Sequence, residues 1–535
     1  MTPKRYICGK KKGMKLTRIL LTVLHLSPEQ VLFQGIRKLH TPKFKAVRYS
    51  GSVCFGHLTS PIPKPISLDG GQFTFLNRNS SFQGWENSLY DPLWAYNLNY
   101  MDWLQQPAIT PAECASWIDR FIQDCPGYNT GTAPYPTALR CINWIKFFCD
   151  NNDYATPERL DSLYSQLSLL SRRIERNVGG NHLLEDAFAL AIGASFLNDR
   201  RMARKGSRLL LRELKREILP DGAHNEQSPM YHCVLLDRLL DCINYTSANM
   251  DNGLFPADMN DFMIDCARVM VGHLRSIVWP DGTIPLLNDS AYGIAPQPSE
   301  LLDYAARLGA DSAPIPMREC GYRRLTDGRI NLIADAGGIT AVNQPGHTHA
   351  DALSYELRID DKPFIVDTGI STYNKNDRRQ YERSTCAHNT VTYDAMDSSQ
   401  VWGGFRVGSR AAVMIIQDNE HELTACHNGF GRKHIHRRSF KIADNALEIN
   451  DICYGSKEPV SRIHFAPGTE ILKTDLTQIV TDRASIKLDG ATKVEIKEVT
   501  TSVRYNCPEK SMVAEISFKE NLTQTISLLY YRISP

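Results

Sequence analysis

The sequence predicts a multidomain protein in which an all-helical part is followed by an antiparallel β-sandwich. Three observations carry this. The chain has 535 residues, more than one hydrophobic core usually organises. Between about residue 110 and residue 315, apolar residues recur three and four apart, the period of helices with a buried face. After about residue 318 the period falls to two, and turn residues separate short runs, as in a sandwich. The change of period puts the domain boundary near 316–322.

Taken in order, residues 1–75 read as a lead segment without regular structure, first basic and then Pro/Gly-containing in PIPKPISLDGG (61–71). Within it, ILLTVLHL (19–26) follows a basic stretch. It reads equally as the apolar part of a signal peptide, with Met14 as an alternative start, and as an amphipathic helix capped by SPEQ. Residues 72–106 concentrate Trp85, Trp94, Tyr96, Tyr100 and Trp103. Flat rings at this density suit sugar stacking, but the helical spacing of WAYNLNYMDWL favours core packing. PAECASWIDRFIQDC, ALRCINWIKFFCD, PERLDSLYSQLSLLSRRIERNV, LEDAFALAIGASFL, KGSRLLLRELKREIL, YHCVLLDRLLDCIN and DFMIDCARVMVGHLRSIV are amphipathic runs split by short polar loops. Consecutive antiparallel helices imply a bundle, a toroid or a solenoid, and the period does not choose among them. RINLIADAGGITAVN, AAVMIIQD, RRSFKIADNALEINDIC, SRIHFAPG, TKVEIKEV, MVAEISF and TQTISLLYYRI read as strands. The predicted division is therefore 1–75, 76–317 and 318–535.

Composition bounds the function. Hydrophobic residues make up 42% and charged residues 22%, which is ordinary for a globular protein. Lys+Arg 61 against Asp+Glu 59 leaves +2, so no global basic field points to nucleic acid. A polyanionic ligand would need a local basic cleft. The 14 cysteines form no C-x-x-C pair, which argues against a disulfide framework or a cysteine zinc site. After the lead segment no run is long and apolar enough to span a membrane.

The chemistry concentrates in residues 345–394. His347, His349 and Asp351 stand at its start, Asp367 in the middle and His388 near the end. ALSYELRI (352–359) and PFIVDTG (363–369) read as strands, and residues two apart on a strand share a face, so His347 and His349 are expected to project together. Two imidazoles and a carboxylate suit a zinc shell, with a further histidine free for acid–base work. The plainer reading of an H-x-H pair is two polar residues on a solvated face.

GHTHADALS, VDTGISTY and RSTCAHNTVTYD resemble the C-terminal signature of the heparinase II/III-like polysaccharide lyases, a pattern shared by two-domain alginate lyases. GNHLLEDAFAL (180–190), DGAHNEQSPMYHCVLLDRLL (221–240) and WPDGTIPLLNDS (279–290) match upstream family motifs in order. The resemblance covers roughly residues 75–420 and implies an incomplete (α/α) toroid followed by the sandwich. It implies catalytic roles for Asn181, His182, Tyr231 and His347, and a structural Zn2+ on His349, Asp367 and His388. The substrate is then an acidic polysaccharide or oligosaccharide, and the location the periplasm or cell envelope, or the cytoplasm if the apolar run is not a signal peptide.

Cleavage of a uronate chain by β-elimination needs a base for the C5 proton, an acid for the leaving oxygen and a neutraliser for the C6 carboxylate. Asn181 and His182 open a helix and suit the neutraliser, though Asn at a helix start is commonly an N-cap. Glu185 lies one turn on, placed either to orient His182 or to complement the helix dipole. Tyr231 suits the acid, against the alternative of one more helix-packing aromatic. Tyr373, Arg378, Arg379 and Arg383 are candidate substrate-binding residues, against a solvated loop for the arginines. Glu226, His224 and Asn143 receive no role. The N-terminal region looks closest to a branch of the family associated with bacterial polysaccharide-production clusters, which leaves the substrate open. The alternatives to a lyase are a catalytically inactive glycan-binding protein that keeps the fold, and a metal-dependent hydrolase, for which no carboxylate pair is evident. Oligomeric state is not legible.

Overall fold

In a computed structural model that describes residues 12–87, 89–125, 129–247, 253–455 and 458–528, most helices begin at a proline. Proline at the first helical position costs no hydrogen bond and presets φ. The helices are α1 (Lys12–Leu24), α2 (Pro28–Leu39), α3 (Pro92–Tyr100), α4 (Pro111–Asp124), α5 (Pro134–Asp150), α6 (Pro157–Arg172), α7 (Gly180–Phe196), α8 (Arg200–Glu217), α9 (Pro229–Ser247), α10 (Met259–Ile277) and α11 (Pro298–Arg307), with a short α12 (Asp377–Glu382) in the C-terminal part.

Packing sorts these into two layers. α3, α5, α7, α9 and α11 touch one another in that order, and α4, α6, α8 and α10 lie outside them. Burial follows the same division. Every residue of α7 except His182 is buried, and α5 and α9 are nearly as enclosed, whereas α4, α8 and α10 bury a single face. Paired inner and outer layers make an incomplete (α/α) toroid, the arrangement the period alone did not select. Tyr135 meets His182 near the starts of α5 and α7, and Lys146 meets Asp241 well along α5 and α9. The three inner helices are therefore parallel and open on one rim.

The lead segment is not irregular throughout. α1 and α2 form a bent pair, and SPEQ caps the second helix rather than closing the first: Ser27 and Gln30 make a reciprocal capping box. Residues 1–11, part of the signal-peptide reading, lie outside the described residues. No single described helix is long and apolar enough to cross a membrane. Gln30 donates to the Val178 and Asn343 carbonyls, and the Trp402 indole donates to Thr22, so this pair straddles both domains. Trp85, Trp94 and Trp103 are fully buried core residues, whereas Tyr96 and Tyr100 are part-exposed and lead through Tyr135 to His182.

From Tyr322 the chain builds two large antiparallel sheets and a small two-stranded one, 401–402 with 406–407. A four-stranded sheet (322–327, 330–335, 355–359, 362–365) packs on a ten-stranded one through Leu332, Leu357, Phe364, Phe440, Ile449 and Ile516. Asp360-Asp361 and Asp444-Asn445 take positive φ at both hairpin centres, the geometry that matches strand twist. The alternation expected of RRSFKIADNALEINDIC is borne out in two paired strands, 435–443 and 446–454, buried at every second residue. MVAEISF and the described part of TQTISLLYYRI are one strand, Cys507–Leu528, paired along most of 484–504. The strand in ALSYELRI starts only at Tyr355, and both its faces are buried. Its polar residues meet the helical domain instead of water: Glu356 accepts from Leu286 N–H at 2.9 Å and Arg358 pairs with Asp281 at 2.6 Å. All thirteen described cysteines are free thiols.

Candidate active site

The rim where α5, α7 and α9 begin carries Tyr135, Asn181, His182 and Tyr231. Gly179 stands at the N-cap of α7, so Asn181 lies inside the helix and is not its cap. Gly180 has φ +59°, and a Cβ there would fall 2.2 Å from Glu226 Oε1. That bare backbone lets Glu226 reach the Asn181 N–H at 2.9 Å. The other Glu226 oxygen lies 3.4 Å from His347 Nε2, so one carboxylate joins the helical rim to the sandwich loop.

His347 and His349 do not sit on a strand. They occupy an irregular loop and still converge, because both face Asp289: His347 Nδ1 lies 2.9 Å from Oδ2 and His349 Nε2 lies 2.8 Å from Oδ1. Arg379 closes the group with a bidentate pair to Asp289 at 2.5 and 2.6 Å. Burial alone would raise the Asp289 carboxyl, but Arg379 and the two imidazoles hold it well below the usual carboxylate range. The Tyr231 ring stacks on His347 with centroids 3.9 Å apart, and the Tyr373 hydroxyl donates to the Tyr231 oxygen at 3.2 Å. Burial, together with Asp289 and Glu226, pushes the Tyr231 phenol up, so it is held protonated.

The His182 ring lies against Tyr135 with centroids 4.4 Å apart and planes tilted by 45°, and it bonds Glu175 through Nδ1 at 2.9 Å. Burial works to lower its pKa, but the Glu175 carboxylate outweighs this and raises it, favouring imidazolium. Its side chain remains 31% exposed, open to the cleft. The N-termini of three parallel helices add partial positive charge on the same rim.

The candidate zinc ligands lie together. His388 Nδ1 is 2.6 Å from Asp367 Oδ2, and the His349 and His388 rings are 5.2 Å apart. Burial pushes the His349 imidazole down to about 4, so it is neutral and able to donate to a metal. His349 Nδ1, His388 Nε2 and Asp351 Oδ2 are buried without a hydrogen-bond partner among the described residues. Orphaned donors of this chemistry fit a divalent cation. The ligand atoms of His349, Asp367 and His388 are nonetheless not all within 4.8 Å of one another, as those of Asp221, His273 and Cys320 are. The latter set is already engaged, with Asp221 accepting from the Arg318 and Cys320 N–H groups at 2.9 Å.

Residues 310–528 match the heparinase II/III-like C-terminal domain, and residues 144–303 match the heparinase II/III N-terminus. The chain belongs to the heparinase II/III family. Its relatives include a heparin-sulfate lyase of Pedobacter heparinus, 26% identical over 269 residues, covering 44% of this chain and 39% of that one. A heparin-sulfate lyase of Bacteroides thetaiotaomicron is 23% identical over 280 residues, covering 44% and 40%. The chain thus spans about two fifths of the length of these curated relatives. A crystal structure of heparinase III superposes with a TM-score of 0.67 at 18% identity, covering 83% of this chain and 79% of that chain. A heparan sulfate lyase of Pedobacter heparinus gives 0.56 at 16% identity, covering 93% and 87%. These likenesses establish the toroid-plus-sandwich fold.

Within this heparinase II/III fold several expectations need revising. Tyr231 and His347 come from different domains and are in direct ring contact. Glu185 does not orient His182. It is buried 3.4 Å from Arg238, in a charge cluster with Asp237, Asp241, Lys146 and Lys64, and burial lifts its carboxyl to about 7. The arginines are not in a solvated loop waiting for an anion. Arg378 pairs with Glu382 at 2.6 Å, Arg379 with Asp289, and Arg383 donates to the Thr348 carbonyl at 2.7 Å. Sequence reasoning gave Glu226 and Asp289 no role. Both sit inside motifs that carried the resemblance, NEQSP and LLNDS, which was the available signal.

Proposed function

We propose that this chain is a polysaccharide lyase that cleaves a uronic-acid-containing polysaccharide by β-elimination, leaving an unsaturated uronyl end. The observation that carries the reading is the junction of Tyr231, His347 and Tyr373 with Asn181 and His182 through the shared Glu226 carboxylate. It gathers an acid, a base and a neutraliser at one inter-domain cleft, which is what elimination needs. His182, cationic and part-exposed, takes the C6 carboxylate together with Asn181, so that charge developing at C5 is compensated. His347 is pinned by Asp289 at Nδ1. Its Nε2, with only a long contact to Glu226, removes the C5 proton. Tyr231, kept protonated, delivers its proton to the leaving oxygen, and Tyr373 holds its hydroxyl in place. The names of the relatives, heparin-sulfate lyases, support a glycosaminoglycan-like substrate.

We include in this reading a zinc ion on His349, Asp367 and His388, with Asp351 beside it. Bound, it would supply a structural tie between the loop before strand 355–359 and the segments after strand 362–365. His347 lies two residues from His349 and inherits its placement.

The test is a screen of purified protein on heparan sulfate, chondroitin, hyaluronan, alginate and bacterial capsules, with mass analysis of products. Elimination gives fragments whose new ends lack one water relative to hydrolysis. Products carrying the added water, or no cleavage of any acidic polysaccharide, would contradict the reading.

A further inference from the structure

The arginines first suspected of meeting substrate are spent inside the protein, yet the chain has a second cationic cluster that is not. α8, RRMARKGSRLLLRELKRE, holds eight basic residues against two acidic ones, a local field that the +2 net charge of the whole chain conceals. Its apolar face, with Met202, Leu209, Leu210 and Leu214, is buried against the inner layer, which fixes where the basic face points. That face and Arg176 line a groove of about 360 Å³.

The partners divide the groove. Arg176 and Arg212 share Glu29 of α2, Arg212 also meets the buried Glu213 at 2.5 Å, and Lys205 donates to the Ser171 carbonyl. Arg201, Arg204 and Arg208 are exposed, and no described carboxylate pairs with them. They lie three and four residues apart on one helical face, where like charges repel and weaken the helix. A ridge that lowers its own helix's stability and has no internal counter-charge is arranged for an external anion. Arg176, at one end of the groove, follows Glu175, the partner of His182, in the chain, and Arg208, Arg204 and Arg201 extend from there along α8.

We infer that the α8 ridge is a second binding site, outside the catalytic cleft, for an anionic stretch of the polysaccharide chain, engaged through Arg201, Arg204 and Arg208. It holds a long substrate while its neighbouring segment lies at Tyr231. The uncompensated charge of the ridge calls for a polyanion, and an acidic polysaccharide is the polyanion that the proposed function supplies. This inference rests on the reading of the chain as acting on acidic polysaccharide.

The experiment compares wild type, the triple variant Arg201→Gln/Arg204→Gln/Arg208→Gln, and Tyr231→Phe. Each is titrated with heparan sulfate and alginate, with duplex DNA and anionic vesicles as controls, and assayed on long chains and on short oligosaccharides. The triple variant should bind long polysaccharide on the order of tenfold more weakly, with a shallower salt dependence. Its KM on long chains should rise with kcat unchanged, and short oligosaccharides should be turned over as by wild type. Its melting temperature should hold or rise, since only exposed like charges are removed. Tyr231→Phe should bind like wild type. A triple variant that matches wild type in binding and in KM overturns the inference while leaving the lyase reading intact. DNA or vesicles bound as tightly as polysaccharide, and released by the same substitutions, would also overturn it, by making the ridge a general anion surface. A wild type that binds polysaccharide through the ridge but never cleaves it would instead contradict the lyase reading and leave the ridge standing.

Discussion

The Tyr231 ring lies flat against His347 at 3.9 Å, so Tyr231→Phe keeps that packing and removes only the hydroxyl that Tyr373 bonds. Turnover should fall on the order of 10²–10⁴-fold, the span for one acid–base group, with polysaccharide affinity nearly intact. Equal activity in steady-state assays of the two proteins would remove Tyr231 from the mechanism. His182 gives a pH prediction. Its pKa is raised above the ordinary imidazole value of 6.5 because Glu175 outweighs the burial that opposes it. The pair's contribution to stability is complete below that ordinary value and is lost as pH rises through the raised one. The neutralising charge follows the same course, so kcat/KM should decline through that window. In a pH–rate profile, His182→Gln should be slower and lack that alkaline decline. An unchanged profile would show that His182 does not act as a cation. These residues were recognisable from local motifs. Their partners Glu226 and Asp289 were not, because a carboxylate's role depends on what folds back onto it.

Among the elements, the start of α7 depends most on its sequence. Gly180 combines φ +59° with a Cβ position 2.2 Å from Glu226 Oε1 and 2.9 Å from Gln344 Cγ. Gly180→Ala should cost on the order of 1–3 kcal/mol in denaturant titrations and should lower turnover by displacing Glu226. Wild-type stability and rate in this variant would mean that the bridge is dispensable. On the sandwich side, the loops bearing His349, Asp367 and His388 leave buried nitrogens without partners. Metal analysis should find near-stoichiometric zinc, absent from His349→Ala, and chelation should lower the melting temperature. A metal-free wild type with unchanged melting would contradict the zinc reading. The element types were legible, since buried faces impose period 3.6 or 2 on a sequence. The first lead helix was one of two readings of its apolar run, and the second was missed because its exposed apolar residues, such as Val31, Leu32 and Leu39, do not form a core-facing pattern.

For the molecule as a whole, the order of helices before strands could be read directly, and the layering could not. Inner and outer helices differ in how much of their circumference is buried, and this depends on neighbours distant in sequence. The polar residues of the strand 355–359 show the same limit: Glu356 and Arg358 look solvent-facing by alternation and instead bind the helical domain. The cleft between the two domains carries the functional account, because Asn181, His182 and Tyr231 belong to one and His347 and Tyr373 to the other. The most direct test follows ultraviolet absorbance while wild type and Tyr231→Phe act on an acidic polysaccharide that the wild type cleaves. The account predicts that absorbance from a conjugated uronyl double bond rises in step with new chain ends for wild type, and only weakly for Tyr231→Phe. New ends formed without that absorbance, or an equal rise in both proteins, would contradict it.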